Sequence, residues 1–506
     1  MSELFIRLIG GLVAAYVIVY LWRFCWRHSN AIFTRVYRQL SRLAVLRTAE
    51  TVSISDPRAL QEILVKEHGT VFTHSPGHLE INNLIFGPGL LGISGATHKL
   101  QRKALNPVFT TFHTKSSASK MDAVAQELVD VLASTIKGTN TKEVNILEWC
   151  KMATLEIIGQ AGFGYTFGAI RGNQSSYVDA MKNFVPTVSP LFRFKVYISW
   201  MLRLIPRGLC NQLATLAPSS YVRRLKAMDD TQNKYSRDIL ESRKAVVSAS
   251  TDGEFDDILS SLIRSNTNAI QEERLSEDQI RGQISTFIFA GFETTSVSLS
   301  QIIHLLAEHP HIQKQLRAEL LNAGPDLQDF DKLPYLNAIV RETLRLYPPV
   351  PTIDRYASQD WVLPLRYATK DHKQEMYIKK GTRVLVSLSR ANRCRETWGD
   401  DAEEFHPERW LNPLPRSVYE AKLPGVYSPM MTFAAGPRSC IGYRFAVLEL
   451  KIVLSRLIKT FQFAPGQPVQ WRSYGCISPH VMKKLEDGTT ILDPAPTLPL
   501  MVFPVH

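Results

Sequence analysis

Residues 277–309, EDQIRGQISTFIFAGFETTSVSLSQIIHLLAEH, are largely apolar and free of proline until Pro310. Ser276 and Gln279 form a capping-box pattern at the start. One helix of this length spans about 50 Å, enough to cross a whole domain, so the rest of the fold must be built around it. A chain of 506 residues that is 45% hydrophobic can bury a core of that size.

The remaining pattern is mostly helical with short strands. An Asp-Pro start and the spacing of Leu60, Ile63 and Leu64 predict a helix over 55–68. Helical patterns recur at 117–137 and 149–162, and RVLVSLS at 383–389 reads as a strand. Residues 76–94, rich in glycine and apolar side chains, read as an irregular loop, and 195–206 as an apolar patch that packs in the core or dips into lipid. No internal repeat or long linker appears, so one large, mainly α domain is expected.

The net charge of +12 admits nucleic acid, an anionic membrane or an acidic protein as partner. No zinc-finger spacing, aromatic–basic interleaving or long Lys/Arg run supports nucleic acid. Cys25, Cys150, Cys210, Cys394, Cys440 and Cys476 are scattered, with no CxxC pair, which fits a reducing compartment better than a disulfide framework. The Asn173 sequon reads as a chance match.

Near the N-terminus, LIGGLVAAYVIVYLW (Leu8–Trp22) is uncharged and is followed by Arg23, Arg27, Arg35, Arg38, Arg42 and Arg47. As a helix it rises about 22 Å, short of a hydrocarbon layer of about 30 Å. Phe5 and Ile6 extend it if Arg7 snorkels. The trailing arginines predict a cytosolic remainder, and the lack of an A-x-A site argues against a cleaved signal. An uncleaved anchor over 1–28 and a catalytic domain over 29–506 are expected.

FAAGPRSCIG (433–442) sets Cys440 in a loop of small residues ahead of the helical pattern of Phe445, Leu448, Ile452 and Leu457. The positive end of a helix lowers a thiol pKa and favours thiolate, and Arg438 adds a fixed positive charge. Gly436 and Gly442 allow the backbone to pass close to something flat and bulky. AGFETT (290–295) places Glu293 in an apolar helix, costly unless it is hydrogen-bonded or functional. Gly291 with neighbouring Thr residues can open a turn there, beside the Thr294 hydroxyl. Glu342 and Arg345 lie one helical turn apart in ETLR, and FHPERW offers Arg409 as a third charge.

F-x-x-G-x-R-x-C-x-G, preceded by A-G-x-E-T-T, E-x-x-R and P-E-R, resembles a membrane-anchored cytochrome P-450, from Asp56 onwards. The resemblance implies that family's fold, a large helical domain with a small β-sheet region. It implies haem b with Cys440 as axial thiolate ligand of iron, Phe433 and Gly436 in the cofactor loop, and Arg438, Arg355 and Arg102 on the propionates. His98 stands where the family commonly has tryptophan, and is itself a candidate propionate contact. Glu293 and Thr294 are the implied proton-delivery pair, and Glu342, Arg345 and Arg409 the structural triad. The region between Trp22 and Ser55 is short and lacks a Pro-Gly-Pro hinge, so the first strands of the β-region are expected to be shortened or absent.

The resulting expectation is a monooxygenase of the endoplasmic reticulum membrane, supplied with electrons from NADPH by a separate reductase, with cytochrome b5 as a further partner. Substrate walls are expected from 76–94, 184–194, 289–295, 350–353 and the tip at 474–477. These are mainly apolar, which fits a lipophilic substrate. The pattern is similar to fungal secondary-metabolism members, which act on terpenoid or polyketide skeletons. A haem-thiolate isomerase or dehydratase, a non-catalytic haem sensor and a haem-free scaffold are the rivals; the acid–Thr pair and the Cys440 loop argue against them.

Overall fold

The Asp-Pro pair at 56–57 starts the first helix as its chemistry dictates. In the computed structural model, which describes residues 50–505 except 76, 138–142, 173–175, 183, 189–206, 217–219, 250–256, 325–328, 370 and 486–487, Pro57 opens α1 (Pro57–Gln61). The Asp56 carboxylate accepts from the Arg58 and Ala59 N–H groups at 3.0 Å and from Arg366 and Tyr367 at 2.9 Å. A π-helical turn, Glu62–Lys66, completes the segment. The expected anchor, the sequon and the patch at 195–206 lie outside the described residues, among which no helix is long and apolar enough to cross a membrane.

Four short strands, β1 (Thr51–Ile54), β2 (Phe72–Thr73), β3 (Thr352–Ala357) and β4 (Arg383–Ser387), form a sheet in the order β1-β4-β3-β2. β1 runs parallel to β4, while β3 is antiparallel to β4 and to β2. β1 is a four-residue edge strand. Beneath this sheet Leu60, Leu64, Val384 and Val386 form a small core of their own.

The expectation of an irregular loop at 76–94 is corrected: His78–Phe86 is a helix, α2. Gly77 and Gly87, at φ +81° and +75°, bracket it, so the glycines that suggest a loop mark the two ends of an element instead. Ile81, Asn82 and Phe86 are its buried side chains.

α3 (Gly95–Leu105), α4 (Ala118–Lys137) and α5 (Ile146–Ile157) follow, α5 continuing into a π-turn at Ile158–Gly162. The long helix is α6 (Glu277–Glu308), with the Ser276–Gln279 capping box formed in both directions. α6 packs against α5, α7 (Pro334–Leu346), α8 (Tyr443–Thr460) and the helix Ser220–Ala249. Ile284, Ile288, Val297, Ile302, Ile303 and Leu306 are buried along its length, as expected of a helix enclosed by its own domain. β5 (Met430–Ala435) leads into the Cys440 loop, and β6 (Val469–Tyr474) with β7 (Cys476–Lys484) makes a late hairpin.

Candidate active site

The Cys440 loop is set by backbone geometry. Gly436 has φ +68°, and a Cβ there would fall 2.0 Å from the Leu64 carbonyl oxygen. The close approach is therefore to the π-turn after α1, while at Gly442 the nearest atom, on Phe109, would be 3.7 Å away. Cys440 N–H donates to the Phe433 carbonyl at 2.9 Å, and the Phe433 ring packs between Tyr427 and Tyr443.

Cys440 is exposed, yet burial is the largest influence on its thiol and pushes the pKa up. Those two facts together describe a group at the bottom of a recess. The Gly442 N–H and Arg102 act in the opposite direction but do not win. The helix end thus acts in the expected direction, while the net shift of the thiol is upward. The helix-end N–H is present, the facing cation is Arg102, and desolvation outweighs them until a metal binds.

Arg102, on α3, donates to the Ser439 carbonyl at 2.7 Å. Arg438 instead reaches the Leu90 and Ile93 carbonyls at 3.0 and 2.6 Å, and Arg355, on β3, donates to the Asp354 carbonyl at 2.7 Å. None of the three has a carboxylate partner among the described residues. Burial, then their mutual repulsion, brings Arg438 down to about 10; burial alone does so for Arg355, against the pull of Asp354. His98 is buried beside them, lowered to about 4 by desolvation, Arg438 and Arg102. His68 and His74, which sequence reasoning missed, join the same cluster, lowered to about 4 and about 2 by burial and by Arg355 and Arg438. Arg355 Nε, Arg438 Nε, His68 Nδ1 and His74 Nε2 are buried without a partner. A gathering of cations and orphaned nitrogens without an acid is built for an anion with several oxygens.

On α6, burial is broken in the middle of the helix. Phe289, Ala290, Gly291 and Thr294 are partly exposed between fully buried stretches, so they line a space. The helix itself is continuous here, which corrects the expected opened turn; the Thr294 hydroxyl donates to the Ala290 carbonyl at 2.7 Å. Glu293 is not solitary: its carboxylate lies 3.3 Å from Lys151 Nζ on α5, with both side chains under 10% exposed. Thr154, one turn further along α5, donates to the Phe292 carbonyl at 3.1 Å. Glu293 and burial together raise the Cys476 thiol to about 12, which brings the tip of the β6–β7 hairpin to the same place.

Phe86, Phe184 and Phe289 come from three of the expected wall segments and meet at ring-centroid distances of 4.7 to 5.5 Å. Ile477 N–H donates to the Pro349 carbonyl at 2.9 Å, joining the hairpin tip to the segment at 350–353. Residues 189–194 fall outside the described residues.

Glu342 and Arg345, both fully buried on α7, form a two-bond pair at 2.7 and 2.8 Å. Arg409 Nε completes the triad at 3.3 Å and also pairs with Asp401. Trp410 Nε1 donates to Glu342 at 2.9 Å. Thr432 on β5 donates to the Leu344 carbonyl at 2.6 Å, linking this network to the strand that precedes Cys440.

A family model described as Cytochrome P450 matches residues 26–474. Cytochrome P450 monooxygenase 91 of Postia placenta is 38% identical, over 86% of this chain and 83% of the relative. Ganoderic acid synthetase CYP5150L8 of Ganoderma lucidum is 36% identical over 88% and 85%, and a cytochrome P450 monooxygenase, eriI, of Hericium erinaceus 31% over 86% and 83%. With the cysteine loop, the acid–alcohol helix and the buried charge triad in one fold, the chain belongs to the cytochrome P450 family of monooxygenases.

Proposed function

We propose that this monooxygenase oxidises a lipophilic small molecule of secondary metabolism, of terpenoid or polyketide type. The observation that carries the cofactor assignment is the acid-free cation cluster beside the recessed Cys440, with its orphaned nitrogens. It fits haem b: Cys440 Sγ would ligate iron, and Arg102, Arg355, Arg438 and His98 would hold the propionates. When bound, haem supplies the centre at which one oxygen atom of O2 enters the substrate and the other leaves as water, consuming two electrons and two protons.

The protein's own part is to bind, exclude water and move protons. The rings of Phe86, Phe184 and Phe289 give an apolar roof that favours a lipophilic skeleton. Glu293 and Thr294 carry protons to the reacting oxygen, Glu293 starting from its pair with Lys151. Phe433 and Gly436 shape the thiolate loop, and Glu342, Arg345 and Arg409 brace it. The relative named for ganoderic acid supports a role in secondary metabolism.

Electrons arrive from NADPH through a separate acidic reductase, with cytochrome b5 as a second donor. A surface cleft of about 460 Å³, lined among others by Lys99, Lys103 and Arg102, offers that partner a basic landing site next to the cofactor loop. Residues 1–28 anchor the enzyme in the endoplasmic reticulum membrane, with 29–506 as the catalytic domain in the cytosol; the apolar run at 8–22 and the arginines after it support this.

The test is a carbon monoxide difference spectrum of the reduced protein, beside Cys440→Ser. A strongly red-shifted Soret band that the variant lacks is expected; a band typical of histidine-ligated haem overturns the thiolate assignment. Spectral titration with terpenoid, polyketide and fatty-acid panels then tests the substrate class, and a response to none of the first two rejects it.

A further inference from the structure

We propose that His74 is a fifth propionate-binding side chain of this chain, acting with Arg355 and Arg438; the inference rests on the haem assignment above. The placement comes from strand register. β2 pairs with β3 as Phe72↔Ala357 and Thr73↔Tyr356, so one step beyond the last pair His74 stands opposite Arg355, on the inward face. Arg355 is 4% exposed.

The imidazole is held in plane by its neighbours. His78 stacks on it with centroids 5.4 Å apart and planes 2° from parallel, and His68 meets it edge-on at 6.1 Å. His78 is in turn within 3.1 Å of the Asn82 side-chain amide, which also donates to the Leu91 carbonyl at 3.2 Å. α2, the helix hidden between two glycines, thus supplies the support for His74.

What the support aims is an unused nitrogen. His74 Nε2 is buried without a partner, as are Arg355 Nε and Arg438 Nε. Guanidinium groups cannot satisfy an N–H, and the carbonyls nearest the arginines, those of Asp354, Leu90 and Ile93, already accept from them. Only an added acceptor can serve all three nitrogens, and a propionate carboxylate offers two oxygens with about four lone-pair sites. Burial, then Arg355 and Arg438, hold His74 in its neutral form, and a propionate oxygen at the unpartnered Nε2 would select the tautomer that carries its hydrogen there. A second metal is not an alternative occupant, since no group of three or more metal-ligating side chains suited to an ion occurs among the described residues.

The experiment measures haem release from the ferric holoprotein to excess apomyoglobin, for wild type, His74→Phe and His74→Gln, each first shown to give the red-shifted carbon monoxide band. Loss of one hydrogen bond to a charged group corresponds to release about tenfold faster in His74→Phe. His74→Gln, which keeps an N–H at similar reach, is expected to stay near wild type. Release from His74→Phe within about twofold of wild type overturns the inference while leaving the haem assignment intact. If His74→Phe does not fold, resonance Raman on His74→Ala decides: the propionate bending mode should shift from wild type in His74→Ala and stay in place in His74→Gln, and a mode unchanged in His74→Ala overturns it. A wild-type protein without the red-shifted band fails earlier, at the haem assignment itself.

Discussion

Glu293 and Lys151 show what a single residue demands of its surroundings. A carboxylate in the middle of an enclosed helix needs a counter-charge, and the sequence around 290–295 makes that need visible. The partner is not visible there, because Lys151 in EWCKMATLEIIG looks like any lysine on a solvated helix face; only the packing of α5 against α6 brings it within 3.3 Å. Removing one member of a buried pair leaves an uncompensated charge, worth about 3–5 kcal/mol. Lys151→Met is therefore expected to lower folding stability by about that amount in urea denaturation, and Lys151→Met with Glu293→Gln to recover most of it. Single and double variants of equal stability would show that the pair is not coupled. The triad was easier to read, because Glu342, Arg345 and Arg409 sit in short motifs, yet Asp401 and Trp410, which complete it, carry no such signal.

At the scale of elements, the contact of the 87–92 loop with α6 is a backbone-on-backbone approach. A Cβ on Gly282 would lie 2.6 Å from the Gly89 nitrogen, and one on Gly89 would lie 2.3 Å from the Gly282 carbonyl oxygen. Gln283 then accepts from Leu90 N–H at 3.2 Å and reaches Gln101, which itself donates to the Pro88 carbonyl. Gly282→Ala cannot be absorbed by a flexible side chain, so the loop must lift from the helix. The expected result is a stability loss of about 1–3 kcal/mol, the usual cost of overpacking, with new protease cleavage confined to residues 87–92. Cleavage unchanged from wild type would show that the loop tolerates the methyl group. The sequence announces α6 by length and capping, but hides this contact and α2 alike. Glycine reports backbone freedom without saying whether that freedom serves a loop, a helix end or a crossing, and in 76–94 it serves the last two.

For the molecule as a whole, the ordered motifs made the family legible, because each supplies a part that the same chemistry needs. The imidazoles of the propionate cluster were not legible, since His74 reaches Arg355 through a β2–β3 pairing that joins residues about 280 positions apart. That cluster gives the protein a pH dependence that its cofactor should change. Without haem, the folded state holds His68 and His98 at about 4 and His74 at about 2, against 6.5 for the free side chain. Below about pH 6.5 the unfolded chain takes up protons that the folded chain refuses, so the stability of the haem-free protein falls as pH drops. That loss ends for His68 and His98 below their folded values near 4, and for His74 nearer 2. Arg102, Arg355 and Arg438 face these rings throughout, and two bound propionates would oppose that positive field and raise all three values towards normal. Urea midpoints measured from about pH 7 to about pH 5 should therefore fall more steeply for haem-free than for haem-loaded protein, since carboxylates elsewhere titrate alike in both. Parallel slopes would mean that the histidines do not face the propionates, and would leave the orphaned nitrogens of the cluster to some other anion.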